Sequence, residues 1–368
     1  MSTQYIPWLA LSAVLAGAAS AGADGSRAAS FRAKARVILH QWGPERARPQ
    51  RIREHLEHLE RNLVGVDGFF LYLDKSSFGV MSSTRLAPQT VREELRPVKD
   101  MPARRLRYHF ALVYNDRPAD LFDDWSVAIA NWETFAAACR EAGLVGIAFD
   151  NEEYFGSWAN FPEDCKYPRT LDAYREQARE RGAEVMAAIR RGFPEAVVVT
   201  LHGPTLSAYN GPPIVYHLPE ANELWGPFFA GMLQARGTVL LCDGGELYAL
   251  RSGEEFQTAY RWQKWGIASE RARTPFIPAS LRPEWPAVSV SWGIYDSTDE
   301  PTGREMNPDI YARTLAEALS RCDHFVWLYF EGHNLLGDTV TAWHRAIASG
   351  VDQGRRWRNR ARRSLKAP

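Results

Sequence analysis

The sequence lacks the features that mark several large protein classes. Lysine plus arginine and aspartate plus glutamate both number 44, so the formal net charge is zero, and no charge excess predicts binding to nucleic acid or a membrane surface. The four cysteines show no Cys-x-x-Cys spacing and no histidines at zinc-finger distance, which argues against a structural zinc site. The first strand-like stretch continues as HQWGPERARP, with a single glycine, so the glycine-rich fingerprint of dinucleotide-binding folds is also absent.

The chain has no hydrophobic run long enough to span a bilayer comfortably. Its N-terminal apolar run, from Trp8 to Ala19, is short and leads into small-x-small sites such as Ala19-Ser20-Ala21. This arrangement is typical of a secretory signal peptide, although no lysine or arginine precedes it. We therefore expect residues 1–23 to be a signal peptide, the mature protein to be secreted or periplasmic, and no stable membrane span to be present. An exported chain can pair some of its cysteines, and the sequence does not say which.

What the sequence does contain is a regular alternation of two kinds of segment. Eight apolar, strand-like stretches occur at 37–43, 68–74, 108–115, 146–154, 196–203, 238–248, 288–296 and 324–334. Amphipathic, helix-like segments lie between them, which predicts parallel βαβ units. Eight units without a nucleotide fingerprint favour a closed barrel over an open, doubly wound sheet. The sequence thus predicts a single (β/α)8 TIM barrel over residues 31–350, followed by a basic, disordered tail, 351–368.

The fourth strand-like stretch, GIAFDNEEY, ends in acids. Ile147 and Phe149 are bulky and apolar, so we expect them to face the surrounding helices. Because side chains alternate along a strand, Ala148, Asp150 and Glu152 then face the barrel axis. Active sites of TIM barrels lie at the C-terminal ends of the strands, so these two carboxylates are predicted to stand one above the other at the barrel mouth. Two close carboxylates in a partly desolvated pocket suit acid and base catalysis, since they cannot both ionise freely.

Other strand ends are predicted to bring polar and aromatic side chains to the same mouth. The candidate substrate-binding residues are His40, Trp42, Tyr72, Tyr114, Asn151, His202, Trp292, Tyr295, Asp296, Trp327, Tyr329 and Glu331. Aromatic faces cover the C–H face of a sugar ring, and few lysines or arginines stand among these residues, so the predicted ligand is a neutral oligo- or polysaccharide. Asp243 and Glu246, from the sixth strand, are candidates for a second catalytic carboxylate, because an inverting route needs a base across the bond from the acid. The predicted function is hydrolysis of O-glycosidic bonds, with Glu152 as general acid and Asp150 as its supporting carboxylate.

The fourth strand also resembles motifs of known glycosidases. GIAFDNE resembles the G-x-D-x-D-x-E signature of family-18 chitinases and related enzymes, with Gly146, Asp150 and Glu152 on three of its positions and Ala148 in place of the first aspartate. DNEEYFGSW resembles the corresponding stretch of hyaluronidases, which likewise lack that aspartate. These resemblances imply that Glu152 is the general acid and that Asp150 orients an N-acetyl group of the substrate, which acts as the nucleophile. They also imply that Trp327 lines the pocket.

A third resemblance concerns the retaining barrel glycosidases of the largest clan. Their fourth strand carries an Asn-Glu pair, which Asn151-Glu152 resembles, and this implies again that Glu152 is the acid. Those enzymes have a nucleophilic glutamate at the end of the seventh strand, where this chain has Asp296. All three resemblances agree on Glu152. They leave the nucleophile open among a substrate amide, a protein carboxylate and water.

Two functions of other classes stay open as alternatives. A metal-dependent hydrolase on the same barrel needs a His-x-His on the first strand, and only His40 is present there, so no metal and no cofactor are predicted. A non-catalytic barrel that binds polysaccharide needs the aromatic residues but not the acids. The sequence does not specify the glycan or its linkage, endo or exo action, or the oligomeric state.

Overall fold

The computed structural model of the protein describes residues 27–115, 119–152, 158–208, 211–213, 215, 223–272, 274–299 and 303–364. The predicted signal peptide, residues 1–23, lies outside these residues. Within the described part of the chain, no helix is both long and apolar enough to cross a membrane.

Nine strands form one sheet in the described part of the chain. They are β1 Arg36–Gln41, β2 Gly68–Leu71, β3 Phe110–Tyr114, β4 Gly146–Asp150, β5 Val197–Thr200, β6 Leu240–Asp243, β7 Ser289–Val290, β8 Trp292–Tyr295 and β9 Phe325–Phe330. Every pairing is parallel, in the order β7-β6-β5-β4-β3-β2-β1-β9-β8.

The two ends of this sheet meet at one residue. β7 pairs with β6 and β8 pairs with β9, and Ser291 alone separates β7 from β8. Ser291 still follows β6, because its N–H and its hydroxyl both donate to Asp243 O, at 3.0 and 2.8 Å. β7 and β8 therefore act as one interrupted seventh strand, and the predicted (β/α)8 TIM barrel is confirmed.

Ten α-helices accompany the strands in the described residues. They are α1 Arg27–Arg32, α2 Pro49–Glu54, α3 Leu56–Asn62, α4 Pro88–Leu95, α5 Ser126–Glu141, α6 Leu171–Gly192, α7 Trp225–Ala235, α8 Gly253–Arg261, α9 Pro308–Ser320 and α10 Ala342–Ser364. Local signals fix several of their starts. Ser252 caps α8 and forms a capping box with Glu255, and Thr170 accepts a hydrogen bond from Ala173 N at the start of α6. The helices cover the outside of the sheet, as a barrel of parallel strands requires.

The strand residues divide between two apolar cores. Ile147 and Phe149 pack in the outer core between sheet and helices, whereas Ala148 packs in the lumen, which is the alternation predicted for β4. At the N-terminal end of the lumen, Phe31 of α1 packs edge-on against Phe110, with ring centroids 5.4 Å apart, and is fully buried. The lumen is thus filled by side chains and closed at this end.

The structure corrects the prediction of a disordered basic tail over residues 351–364, and residues 365–368 lie outside the described part of the chain. Residues as far as Ser364 continue α10, which packs along α9. The two helices approach closely at Gly350, where a Cβ would lie only 2.6 Å from Ala312 O. Arg358 of the predicted tail donates to Asp323 O at 2.7 Å, after the end of α9. Arginine is a good helix former, so a basic segment with glycines on its packed side forms a helix when a partner helix is available.

Candidate active site

Asp150 and Glu152 stand at the C-terminal end of β4, on the side of the lumen. The Asp150 side chain is almost fully buried, and its Oδ1 accepts a hydrogen bond from Glu152 N at 3.2 Å. Burial raises the pKa of Asp150 well above its usual range, and the carboxylates of Glu152 and Glu246 raise it further. Asp150 therefore keeps its proton more readily than an exposed aspartate does.

His202, which follows β5, lies between two glutamates. Its Nε2 is 2.7 Å from Glu152 Oε1 and 3.3 Å from Glu246 Oε2. Burial opposes a positive charge on the imidazole, but the neighbouring carboxylates of Glu246 and Glu152 outweigh it and raise the pKa of His202 to about 9. At neutral pH, His202 is therefore a cation held between two carboxylates.

Glu246 is the buried member of the glutamate pair. Its side chain is 9% exposed, compared with 37% for Glu152. Its Oε1 accepts a hydrogen bond from the Tyr248 hydroxyl at 2.5 Å, and its Oε2 is the atom that faces His202. Burial raises the pKa of Glu246, His202 lowers it, and Glu152 raises it again. Both Glu246 oxygens are thus fixed, while Glu152 is open to solvent.

Asn151 does not face the lumen, but it positions His202. Its Oδ1 accepts a hydrogen bond from His202 N at 3.0 Å, and Trp225 Nε1 donates to His202 O at 3.2 Å. These two bonds fix the backbone of His202 from the side of the helices. Asn151 was predicted to contact the substrate. In the structure its side chain instead holds His202, a residue of the site.

Aromatic side chains from β2, β3 and the end of β1 line the opposite side of the mouth. The Trp42 ring lies 6.4 Å from the Tyr72 ring and 5.7 Å from the Tyr114 ring, measured between centroids. Phe78 stacks on Tyr114 at 4.4 Å. Trp42 is half-buried at the mouth, whereas Tyr72 is buried, so Trp42 is the ring of this pair that is placed to contact the apolar face of a sugar.

His40 of β1 forms part of the lumen floor, together with residues of β9. Its ring lies 5.1 Å from Tyr329 and 6.2 Å from Trp327. Burial, together with the charge of Arg46, lowers the pKa of His40 to about 3, so this imidazole is neutral at physiological pH. Trp327 is fully buried and donates to Gly244 O at 2.7 Å, which makes it a structural part of the floor.

Tyr295 and Glu331 lie at the rim. The Tyr295 hydroxyl donates to Glu331 Oε2 at 2.9 Å, and the Tyr295 ring stacks on Tyr329, with centroids 5.2 Å apart. Glu331 is exposed to solvent. Three of the predicted substrate-binding residues, Tyr295, Tyr329 and Glu331, therefore lie on the side of the mouth next to Tyr248. The Tyr248 ring lies 5.1 Å from that of Tyr295.

The structure corrects the predicted positions of Trp292 and Asp296. Gly293 and Tyr295 hold the positions of this strand that face the lumen, so Trp292 and Asp296, at the alternate positions, point outward. Trp292 packs against a helix residue, Phe256, with ring centroids 5.3 Å apart. Asp296 is buried, and its Oδ2 accepts a hydrogen bond from His333 Nδ1 at 2.9 Å.

Asp243 also points away from the glutamate pair. Its neighbour Cys242 faces the lumen, so Asp243 takes the opposite direction, and its Oδ1 accepts a hydrogen bond from Gly245 N at 3.0 Å. The carboxylate lies against Gly203, where a Cβ would be only 1.9 Å from Oδ1. Of the two candidates for a second catalytic carboxylate, only Glu246 is therefore in the site.

Asp243 gives a testable pH dependence of stability. Burial raises its pKa to about 7, from 3.8 in the unfolded chain, so the folded protein loses stability as the pH rises from about 4 to about 7. The loss at full ionisation is roughly 4 kcal/mol. We expect Asp243→Asn to be more stable than the wild type at pH 8 but not at pH 4, in urea unfolding monitored by circular dichroism. Asp172→Asn, at a side chain that is 93% exposed, is the control. Parallel stability curves for wild type and Asp243→Asn would contradict the prediction.

The sequence analysis missed two residues of the site, Tyr248 and Arg46. Tyr248 lies after β6, where Tyr248 and Glu246 are two positions apart and thus on one side of the chain, a spacing that could have indicated their pairing. Arg46 lies in the loop after β1, and its Cζ is 3.8 Å from the centroid of the Trp42 ring. Nothing in the local sequence distinguishes Arg46 from the other arginines of that loop.

No family model matches the chain, and no curated protein matches it. Among solved structures, it is similar to a GH5-4 broad-specificity endoglucanase from an uncultured bacterium, at 11% identity and a TM-score of 0.46, with 89% of this chain and 96% of the other covered. It is also similar to active domain 2 of a thermostable chitinase from Pyrococcus furiosus, at 10% identity and a TM-score of 0.45, with 87% and 95% covered. A 3-keto-D-glucoside 4-epimerase from E. coli has 14% identity and a TM-score of 0.43, with 85% and 98% covered.

Proposed function

We propose that the protein is a glycoside hydrolase that acts on an oligo- or polysaccharide, with Glu152 as the general acid. The observation that carries this proposal is the pair formed by Glu152 and Glu246. Both carboxylates face His202, and the three facing atoms lie within 4.8 Å of one another. Aromatic rings line the other side of the same mouth, so a sugar ring held against them presents its glycosidic bond to the acids.

The short distance between the two carboxylates favours a retaining mechanism. Retaining glycosidases hold their carboxyl groups about 5–5.5 Å apart, whereas inverting enzymes separate them by about 6.5–9.5 Å to admit a water. The facing oxygens of Glu152 and Glu246 lie within 4.8 Å of each other, which is closer than the spacing of an inverting pair. Glu246 is then the nucleophile rather than the base of an inverting route.

In the first step, Glu152 donates its proton to the glycosidic oxygen as the bond between that oxygen and C1 breaks. Glu246 forms a bond to C1, and the leaving sugar departs with the proton. In the second step, water attacks C1, Glu152 accepts a proton from that water, and the bond between C1 and Glu246 breaks. The configuration at C1 is retained, and each carboxylate returns to its starting state.

The neighbours of the pair have supporting roles. Asp150 has a raised pKa and so ionises less readily, which limits the negative charge beside Glu152 and Glu246. The His202 cation lies 2.7 Å from Glu152 and can supply the proton with which Glu152 enters the first step, and the second step then restores that proton. Tyr248 holds Glu246 Oε1 and so orients the other oxygen.

Digestion of a broad glycan panel tests the proposal. We expect turnover of at least one oligosaccharide, with NMR of the fresh product showing the anomer of the substrate. Fresh product of the opposite anomer would refute the retaining assignment of Glu246. Binding across the panel without any turnover would instead favour a non-catalytic polysaccharide-binding barrel. Export, which the N-terminal segment 1–23 predicts, is part of the proposal and is tested by N-terminal sequencing of the mature protein.

A specific observation also favours a second candidate, a metal-dependent hydrolase. Glu152, His202 and Glu246 together offer two carboxylate oxygens and one imidazole nitrogen at distances that a divalent cation can span. A metal ion would displace the His202 proton and take over its positive charge. A stoichiometric metal in the purified protein, with activity lost on chelation and restored by that metal, would favour this function over acid and base catalysis by the glutamates.

A further inference from the structure

Arg46 places a guanidinium group in the aromatic half of the barrel mouth. Its Cζ lies 3.8 Å from the centroid of the Trp42 ring and 4.4 Å from that of the Tyr72 ring. It is close enough to the lumen for its charge to act on His40, whose ring belongs to the floor. The aromatic rings therefore hold a positive charge across the mouth from the glutamate pair.

Among the described residues, the Arg46 guanidinium has no ion pair and no hydrogen bond of its own, and its Nε is buried without a partner. The other arginines of this segment differ. Arg48 is 2.9 Å from Asp74, and Arg51 pairs with Glu45. A half-buried arginine that forms no ion pair with the nearby acids keeps its hydrogen-bond donors available for an acceptor from outside the chain.

We propose that Arg46 binds an anionic substituent of the substrate, a carboxylate or a sulfate ester, so that the substrate class is an acidic saccharide. This inference rests on the proposed glycoside hydrolase function, and it revises the neutral ligand that composition alone predicted. The guanidinium matches the geometry of a carboxylate or sulfate with two parallel hydrogen bonds. Stacking on Trp42 and Tyr72 fixes the plane of the group before the ligand arrives, which lowers the entropy cost of binding.

The position of Arg46 also explains how a negative ligand enters a site with several acids. The anionic group meets Arg46 on the side of β1 and β2, while Glu152 and Glu246 stand on the side of β4 and β6. On that second side, His202 Nε2 lies between the two acids, 2.7 Å from Glu152 Oε1 and 3.3 Å from Glu246 Oε2, so the imidazole is the close partner of both glutamates. The field of the mouth thus orients an acidic saccharide with its charged substituent away from the glutamates.

The test compares matched ligands on matched variants. The probes are uronate-containing oligosaccharides with their carboxyl-reduced forms, and sulfated oligosaccharides with their desulfated forms. The variants are Arg46→Gln, Arg46→Lys and the control Arg53→Gln, whose side chain donates to Pro97 O. Hydrolysis rates are measured first, and calorimetric binding is measured on the same pairs in a Glu152→Gln background. Circular dichroism checks that each variant is folded.

We expect the wild type to prefer one charged class over its neutral counterpart, and Arg46→Gln to lose that preference by roughly 10- to 100-fold. Arg46→Lys keeps part of it, because it retains the charge but not the two parallel hydrogen bonds, and Arg53→Gln keeps all of it. The preference should weaken at high ionic strength. Which charged class is preferred decides between carboxylate and sulfate.

The outcomes separate this inference from the function on which it rests. Turnover of neutral and charged glycans at equal rates, or an equal loss on both in Arg46→Gln, overturns the role of Arg46 and leaves the hydrolase intact. Binding of acidic oligosaccharides that depends on Arg46, without turnover of any glycan, supports the anion site and overturns the hydrolase.

Discussion

Glu152→Gln is expected to lower kcat on a natural glycan by about 10³-fold, within the range that general acid catalysis contributes. Glutamine retains an oxygen that accepts the hydrogen bond from His202 but has no proton to donate, so the fold stays while the chemistry fails. Steady-state kinetics on the best substrate of the glycan panel measures this loss. The control is Glu141→Gln. Glu141 lies at the end of α5, where it forms a partly exposed ion pair with Arg92 of α4, and this variant should keep wild-type rates.

The leaving group sharpens this experiment. An aryl glycoside whose phenol leaves without protonation needs no general acid, so Glu152→Gln should impair formation of the glycosyl-enzyme far less on that substrate. An equal loss on the aryl glycoside and the natural glycan would mean that Glu152 binds or positions the substrate rather than protonates it. A variant with full activity on both would remove Glu152 from the mechanism altogether.

Glu246→Ala is expected to have the larger effect, a loss of at least roughly 10⁴-fold in kcat, because it removes the nucleophile of the retaining route. The space left by the side chain admits a small anion. Azide should therefore restore activity on an aryl glycoside and give a glycosyl azide of inverted configuration, since it attacks C1 once, from the side that Glu246 occupied. NMR of that product is the measurement.

This variant also discriminates the substrate-assisted route that the chitinase and hyaluronidase resemblances imply. In that route an N-acetyl group of the substrate attacks C1, and Asp150 orients it. If Glu246→Ala keeps its activity on N-acetylated glycans while Asp150→Asn loses it, the nucleophile is the substrate amide. If Glu246→Ala is rescued by azide, the protein carboxylate is the nucleophile.

The alternation of β4 could be predicted because the strand mixes bulky and small residues. Ile147 and Phe149 are bulky and Ala148 is small, and the structure places the first two in the outer core and Ala148 in the lumen, as this difference in size predicts. The other strands gave no such signal. Parallel strands are buried on both faces and read as continuous apolar runs, so the direction of each residue is not written in the local pattern.

This ambiguity explains why Asp243 and Trp292 were predicted in the site. In VLLCDGG both faces of β6 are apolar, and the acid at its end could face either way. The direction of Asp243 is decided by contacts with Gly203 and Gly245, which lie in loops. Trp292 faces the helices because the strand passes Trp327 at Gly293, where no larger residue fits.

The contacts that His202 makes with Glu152 and Glu246 could not be predicted from the sequence, for a different reason. The three residues are contributed by three successive βα units, and each was predicted near the mouth on its own. Their distances depend on how far each strand rises in the barrel, which is set by the register between strands. The same holds for Arg46, whose stacking on Tyr72 joins two separate loops.

The closed lumen described above determines how a polymer can be used. Phe31 closes the N-terminal end of the barrel, and the rings of Phe70 and Trp327 fill the middle. The carboxylates at the mouth therefore lie above a closed floor of side chains. A glycan chain therefore cannot pass through the barrel, and it cannot leave through the N-terminal end. In the proposed hydrolase, substrate therefore enters and product leaves through the same mouth of the barrel, and a product that stays there blocks the next sugar from Glu152.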